Sequence, residues 1–250
     1  MIYRSNLRCP DLTPHFKHLT CRTMGHSMGH DVLSDFADYP ADDPVFGLYK
    51  NCGFWTHDEA AILYNVALRL GGYRSSNWLD IGAHTGWTFL HLAACATVAA
   101  VTALEPMTRL QGFLDRFEEN TESHFGVLEK LSYQRSEEFF DGNGDIPQFS
   151  GVVIDGDHDK PWPLHDAVHS SMHLETPGVI MLHDLTGEPV QEAALWLMDH
   201  GFKCRVYYTP HMVACCYRGD FEPPVHVRDS AINWDAVKRS MARFPFERCV

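Results

Sequence analysis

The stretch that most constrains this chain is Asn77–Ala94, NWLDIGAHTGWTFLHLAA. A short apolar run, Trp78, Leu79 and Ile81, holds one acidic residue, Asp80, and leads into Gly82-Ala83-His84-Thr85-Gly86. Helical spacing follows at once, with Phe89, Leu92 and Ala93 at i, i+3 and i+4. A strand that turns through glycines into a helix sets bare backbone N–H groups and a helix N-terminus beside a cavity. Such a turn holds the polar part of a nucleotide-like ligand.

Around this turn, strand and helix patterns alternate. Thr56-His57-Asp58-Glu59 is a capping box, T-x-x-E, opening a helix with Leu63, Val66, Ala67 and Leu70 on one face and Gly71-Gly72 at its end. Further strands are predicted at Val98–Leu104, Leu131–Gln134, Gly151–Ile154 and Gly178–Leu182. Helices are predicted at Met107–Asn120, from Pro161 to His173, and around Val190–Met198. Two last runs, Cys204–Tyr208 and Met212–Tyr217, joined at Thr209-Pro210-His211, predict an antiparallel hairpin. The fold expected is α/β: a doubly wound, mostly parallel sheet with a C-terminal antiparallel hairpin. Residues 1–56 read as an irregular arm with a short helix near Asp31–Asp38, and 57–218 as the ligand-binding domain. Residues 219–250 read as a tail whose helix, with Trp234, Val237 and Met241 on one side, packs on the same domain.

Charge and cysteine usage narrow the function classes. The net charge is −13, yet residues 1–30 carry Arg4, Arg8, Lys17 and Arg22 against Asp11 alone. The remainder is therefore strongly acidic and repels a phosphate backbone, which disfavours nucleic acid as a partner and leaves a small molecule. No run approaches the ~18 apolar residues of a membrane span, and the N-terminus lacks the apolar core of a secretory signal, so a cytoplasmic protein is expected. Eight cysteines without a CxxC pair read as reduced thiols, with Cys215 and Cys216 on opposite faces of one strand. Cys9, His15, His18, Cys21, His26 and His30 fit no standard zinc module and read as a solvated arm. His165, His169 and His173 read as a solvated helix face. The oligomeric state, a homo-oligomer included, is open.

The predicted strand ends carry Asp80/Gly82, Glu105, Ser136, Asp155/His158 and His183/Asp184, so polar groups gather at one edge of the sheet. A carboxylate at Glu105 can accept both hydroxyls of a ribose. A dinucleotide fingerprint, G-x-G-x-x-G, needs a second glycine where this turn has His84, which argues against NAD. Asp155, His183 and Asp184 bring a carboxylate, an imidazole and a carboxylate together, a donor set suited to a divalent cation. Each also has a plainer reading: Asp155 as a strand-end cap, and His183 and Asp184 as holders of a helix N-terminus.

The ordered motifs D-I-G-A-H-T-G, E-P, I-D-G-D-H and M-L-H-D resemble class I S-adenosylmethionine-dependent methyltransferases. The nearest likeness is to bacterial enzymes with a D-G-D-H motif and to catechol-type, metal-dependent O-methyltransferases. It covers roughly residues 53–217, and G-F-W-T-H-D-E-A-A-I-L is similar to the segment that closes the cofactor site in that family. The resemblance implies that Asp80, Gly82 and Gly86 line the methionine part of S-adenosylmethionine, with His84 and Asp155 also at the cofactor. It implies Glu105 at the ribose, and Ser136 and Glu137 by the adenine, although Arg135 stands where an acidic residue is common. His158 falls at the position of a lysine general base, with Asp155 beside it in catalysis. Asp155, His183 and Asp184 fall at the metal positions, where an imidazole implies an ion softer than Mg²⁺ or none. The implied activity is methylation of a hydroxyl on a small molecule, a sugar or natural-product intermediate. Phe54, Trp55, Trp87 and Trp162 are candidates for the pocket wall or for the core. The alternatives are a nicotinamide-dependent oxidoreductase and a non-catalytic cofactor-fold protein binding through its basic arm.

Overall fold

The computed structural model of the chain describes residues 6–10, 12, 55–72, 75–84, 86–106, 130–142, 144–228, 233–241 and 243–250. The helices expected at Met107–Asn120 and near Asp31–Asp38, and the Cys/His run of the arm beyond Cys9, lie outside these residues.

The capping box at Thr56 opens α1 (His57–Gly71). Thr56 Oγ1 accepts the Glu59 backbone N–H at 3.2 Å, and the Glu59 carboxylate accepts the Thr56 N–H at 2.7 Å. Two orphan donors of the first turn are thereby satisfied. Then follow β1 (Ser76–Ile81), α2 (Trp87–Ala93), β2 (Val98–Leu104), β3 (Lys130–Ser132), α3 (Ser136–Phe140) and β4 (Phe149–Ile154). The chain continues through α4 (Trp162–Met172), β5 (Leu174–Leu182), α5 (Glu188–Asp199), β6 (Lys203–Tyr207), β7 (Val213–Arg218) and α6 (Trp234–Ser240).

The seven strands lie in the order β3-β2-β1-β4-β5-β7-β6. Strands β1 to β5 pair in parallel, and β7 runs antiparallel to both β5 and β6. The hairpin is present, but its second strand is inserted inside the sheet rather than added at the edge. Burial explains the order: Val213–Tyr217 is buried at every position, whereas β6 exposes Lys203. A strand buried on both faces gains most from a neighbour on each side. β3 ends before Gln134, and β5 begins at Leu174, ahead of the apolar run that marked it.

Alternation along the strands feeds two cores. Trp78, Val101, Val153, Met181 and Cys215 face α1 and α2. Leu79, Leu104, Val152, Leu182 and Cys216 face the side that also holds Val190, Ala194, Trp234 and Met241 from α5 and the tail. Cys215 and Cys216 thus enter opposite cores, and the described cysteines are free thiols. Among the described residues no helix is long and apolar enough to cross a membrane.

The chain runs outward from β1 through β2 to β3, then returns to β4 on the other side of β1. The order therefore reverses between β1 and β4. Their carboxyl ends diverge into a crevice, which is where open α/β sheets bind ligands.

Candidate active site

The glycine turn is shaped by contact between two strand ends. Gly82 has φ +85°, and a Cβ there would lie 2.2 Å from the Asp155 carbonyl oxygen. Only glycine lets the backbone leaving β1 pass that close to the end of β4. His84 also takes a positive φ of 47°, and Gly86, at φ 94°, caps α2. The His84 N–H donates to Glu105 Oε2 at 2.8 Å, tying the turn to the end of β2.

Beneath the turn lies a cavity of about 290 Å³, near the lower bound of ligand pockets. Gly82, His84, Glu105, Ser136, Asp155, His158 and Asp184, all singled out from the sequence, line it. Glu137 and Trp162 line it too, together with Arg135 and Asp166, which had no assigned role. Asp80, Gly86 and His183 do not line it. Asp80 is fully buried under the turn: Thr88 Oγ1 donates to its Oδ2 at 2.7 Å, and its Oδ1 has no hydrogen-bond partner among the described residues. Burial pushes its carboxyl up to about 7, with the charges of Asp155 and Glu105 acting the same way and the Thr88 hydrogen bond opposing.

The cavity wall is acidic. Among the described residues Glu105, Glu137, Asp155, Asp157, Asp166 and Asp184 line it, against Arg135 as the one lining arginine or lysine. Low-dielectric walls focus such a field and favour a cationic ligand over an anionic one.

Asp155 is the hub on the far side. The Trp55 indole N–H donates to its Oδ2 at 2.7 Å, and His183 Nδ1 lies 3.0 Å from its Oδ1. The same His183 nitrogen is 3.2 Å from Asp184 Oδ2. His158 Nε2 reaches the same two oxygens from the cavity side, at 3.3 Å and 3.2 Å. Burial works against the Asp155 charge, yet His183 and then His158 hold the carboxyl well below the usual carboxylate range. Burial also opposes a charged His158, but its contact with Asp155 raises the imidazole above its ordinary value.

His183 is fully buried, stacked on Trp55 with ring centroids 4.5 Å apart at 15°. Its second nitrogen, Nε2, turns away from the cavity towards Glu59 Oε2 at 3.4 Å, and Glu59 in turn contacts His211 Nδ1 at 3.1 Å. Sequence reasoning saw Glu59 as a helix cap and His211 as part of a turn. Each stands just ahead of an apolar run, Ala60–Leu63 and Met212–Ala214, and that position gave no partner. Trp55 is a buried clamp on Asp155, Trp87 lies in the core against His91, and Phe54 is outside the described residues. His165, His169 and His173 are half-buried along Phe140 rather than solvated.

No protein-family model and no curated protein matches the chain. Solved structures do. An O-methyltransferase from Bacillus cereus in complex with S-adenosylhomocysteine superposes with a TM-score of 0.53 at 14% identity, covering 75% of this chain and 89% of that one. The O-methyltransferase TomG from Streptomyces achromogenes, involved in tomaymycin synthesis and solved with S-adenosylmethionine, gives 0.53 at 12% identity over 86% and 92%. A precorrin-6y C5,15-methyltransferase from Geobacter metallireducens gives 0.52 at 18% identity over 65% and 90%. The chain has the Rossmann-like fold that these methyltransferases share.

Proposed function

We propose that the protein is an S-adenosylmethionine-dependent methyltransferase acting on a hydroxyl of a small molecule, a sugar or natural-product intermediate. The observation that carries this reading is the acidic cavity at the β1/β4 crevice. S-adenosylmethionine brings a sulfonium and an ammonium, which such a wall attracts, whereas the pyrophosphate of a nicotinamide dinucleotide would be repelled. Glu105 lies within reach of the turn, as a ribose partner should. The cofactors bound by the Bacillus and Streptomyces enzymes support the same reading.

S-adenosylmethionine bound there would supply the methyl group on a sulfonium leaving group, and the substrate hydroxyl would have to give its proton to a base. His158 is placed for the base. Its Nε2 is buried against Asp155 and Asp184, so the nitrogen that can meet a hydroxyl is Nδ1. The two carboxylates orient the ring and stabilise the imidazolium that forms, as the carboxylate does in a histidine–carboxylate dyad. Positioning supplies most of the remaining acceleration.

A divalent cation is the finer part of the proposal. Asp155 and Asp184 would hold it with His183, as expected from the sequence, or with His158, whose Nε2 reaches the same oxygens. An ion there would lower the pKa of a bound hydroxyl. His158 Nε2 cannot both ligate and donate, so chelation should slow turnover only where the ion is used.

Calorimetry with S-adenosylmethionine, S-adenosylhomocysteine and NAD tests the reading: heat with the first two and none with NAD is expected, and silence at millimolar S-adenosylmethionine would sink it. With substrate in hand, kcat should rise with pH through a value above the ordinary ~6.5 of histidine, because only neutral His158 accepts a proton. His158→Ala should lose that limb and keep cofactor binding; an unchanged profile removes His158 as the base.

A further inference from the structure

The buried face of His183 opens onto a second cluster that the transfer reaction does not use. Glu59 from the first turn of α1, His183 from the end of β5 and His211 from the β6–β7 turn bring one ligand atom each into a common space. None of the three lines the cavity. Glu59 Oε2 is 3.4 Å from His183 Nε2 and 3.1 Å from His211 Nδ1. Charge-assisted hydrogen bonds run at about 2.7–2.9 Å. Another buried pair in this molecule, His226 Nε2 and Asp58 Oδ2, has that length, at 2.7 Å. The longer separations are close to the edges of a coordination tetrahedron, roughly 3.3–3.4 Å for metal–ligand bonds of about 2.0–2.1 Å.

We propose that Glu59, His183 and His211 form a site for zinc or a zinc-like divalent cation, placed behind Asp155 rather than in the cavity. The surroundings have the form such a site needs. A metal-bound imidazole donates its other N–H to a carboxylate, and His183 Nδ1 sits 3.0 Å from Asp155 Oδ1. The Glu59 carboxylate is oriented by the backbone N–H groups of Thr56, at 2.7 Å, and of His211, at 3.1 Å. The His211 side chain is 26% exposed, so a water could approach from that side to fill a fourth coordination position. Two imidazoles and one carboxylate select zinc or a similar ion over Mg²⁺. Charge points the same way: buried Glu59 and partly buried Asp155 and Asp184 set three carboxylates around His183, which one divalent cation and one imidazolium would balance. The ion would pin α1, β5 and the β6–β7 turn together and fix the ring that holds Asp155. The proposal is independent of the methyl-transfer reading.

The test uses the full chain carrying Cys9→Ser, Cys21→Ser and Cys52→Ser, which removes the thiolates of the arm, stripped with chelator and titrated with Co²⁺ and then Zn²⁺. One equivalent of Co²⁺ should give the visible bands of a tetrahedral nitrogen/oxygen site without a thiolate charge-transfer band. Zn²⁺ should displace it and raise the melting temperature. His211→Ala should abolish the bands and weaken zinc binding by about 100-fold or more, while His158→Ala and Asp184→Asn keep them. The metal-free His211→Ala chain should melt like its metal-free parent; should it fail to fold, His211→Gln carries the same comparison. Absence of tetrahedral bands and of a zinc-dependent melting shift would overturn the proposal. So would bands that survive loss of His211 but vanish in Asp184→Asn, since the ion would then belong to the cavity carboxylates.

Discussion

The carboxyl of Asp80 makes the sharpest prediction. It is fully buried, accepts a hydrogen bond from Thr88, has no partner for Oδ1 among the described residues, and titrates near 7 in the folded chain. In the unfolded chain an aspartate titrates near ~3.9. The folded value is the higher one, so the stability linked to this group is fully present below the unfolded value. It is lost as pH rises through the folded value. A gap of about three units corresponds to roughly 4 kcal/mol, most of it lost between about pH 4 and 7. Asp80→Asn keeps the shape and an acceptor for Thr88 but cannot ionise. Urea unfolding of both chains without cofactor, followed by tryptophan fluorescence from pH 4 to 8.5, gives their stability difference at each pH. That difference should move in favour of the variant with a slope approaching about 1.4 kcal/mol per pH unit, the signature of one proton, and level off above the folded pKa. Any fixed cost of the unpaired amide shifts the curve without changing its slope. A difference independent of pH would refute the argument from desolvation.

Two further substitutions test the scaffold. Gly82→Ala forces a left-handed backbone, costing about 1–2 kcal/mol, and drives its Cβ into the Asp155 carbonyl. Chemical denaturation should show a larger loss than the backbone alone accounts for, and a variant as stable as its parent would contradict the close approach of β1 and β4. Thr56→Ala removes the cap on the Glu59 N–H and should cost about 1 kcal/mol of stability. No loss in the same assay would mean that the capping box is dispensable.

The local grammar of the chain was sufficient for the sheet and for one wall of the cavity. Strand periods, the Thr56 capping box and the turn at Gly82 depend on neighbours a few residues apart, so they can be read from a single sequence. The polar residues at strand ends were legible for the same reason. Once strands are parallel and wound both ways, Glu105, Asp155 and Asp184 must meet at one edge. The seating of β7 between β5 and β6 was not legible, because a hairpin pattern is the same at an edge and inside a sheet.

The rest was decided by packing across long separations. Trp55 meets Asp155, and Glu59 meets both His183 and His211, from positions a hundred or more residues apart. Nothing in the sequence spacing encodes those encounters. The two nitrogens of His183 belong to different surroundings, the cavity carboxylates on one side and Glu59 on the other. The sequence could name His183 as a candidate ligand but could not say which face its two nitrogens serve. Asp80 shows the converse: its place on β1 was plain, but its depth beneath the turn, and so its raised pKa, follows from the close-packed core above and below the sheet. The sequence alone determined which groups reach the ligand edge, because covalent order and strand period set that. Only the tertiary structure decided which of them are desolvated and paired, because those energies depend on contacts between distant parts of the chain.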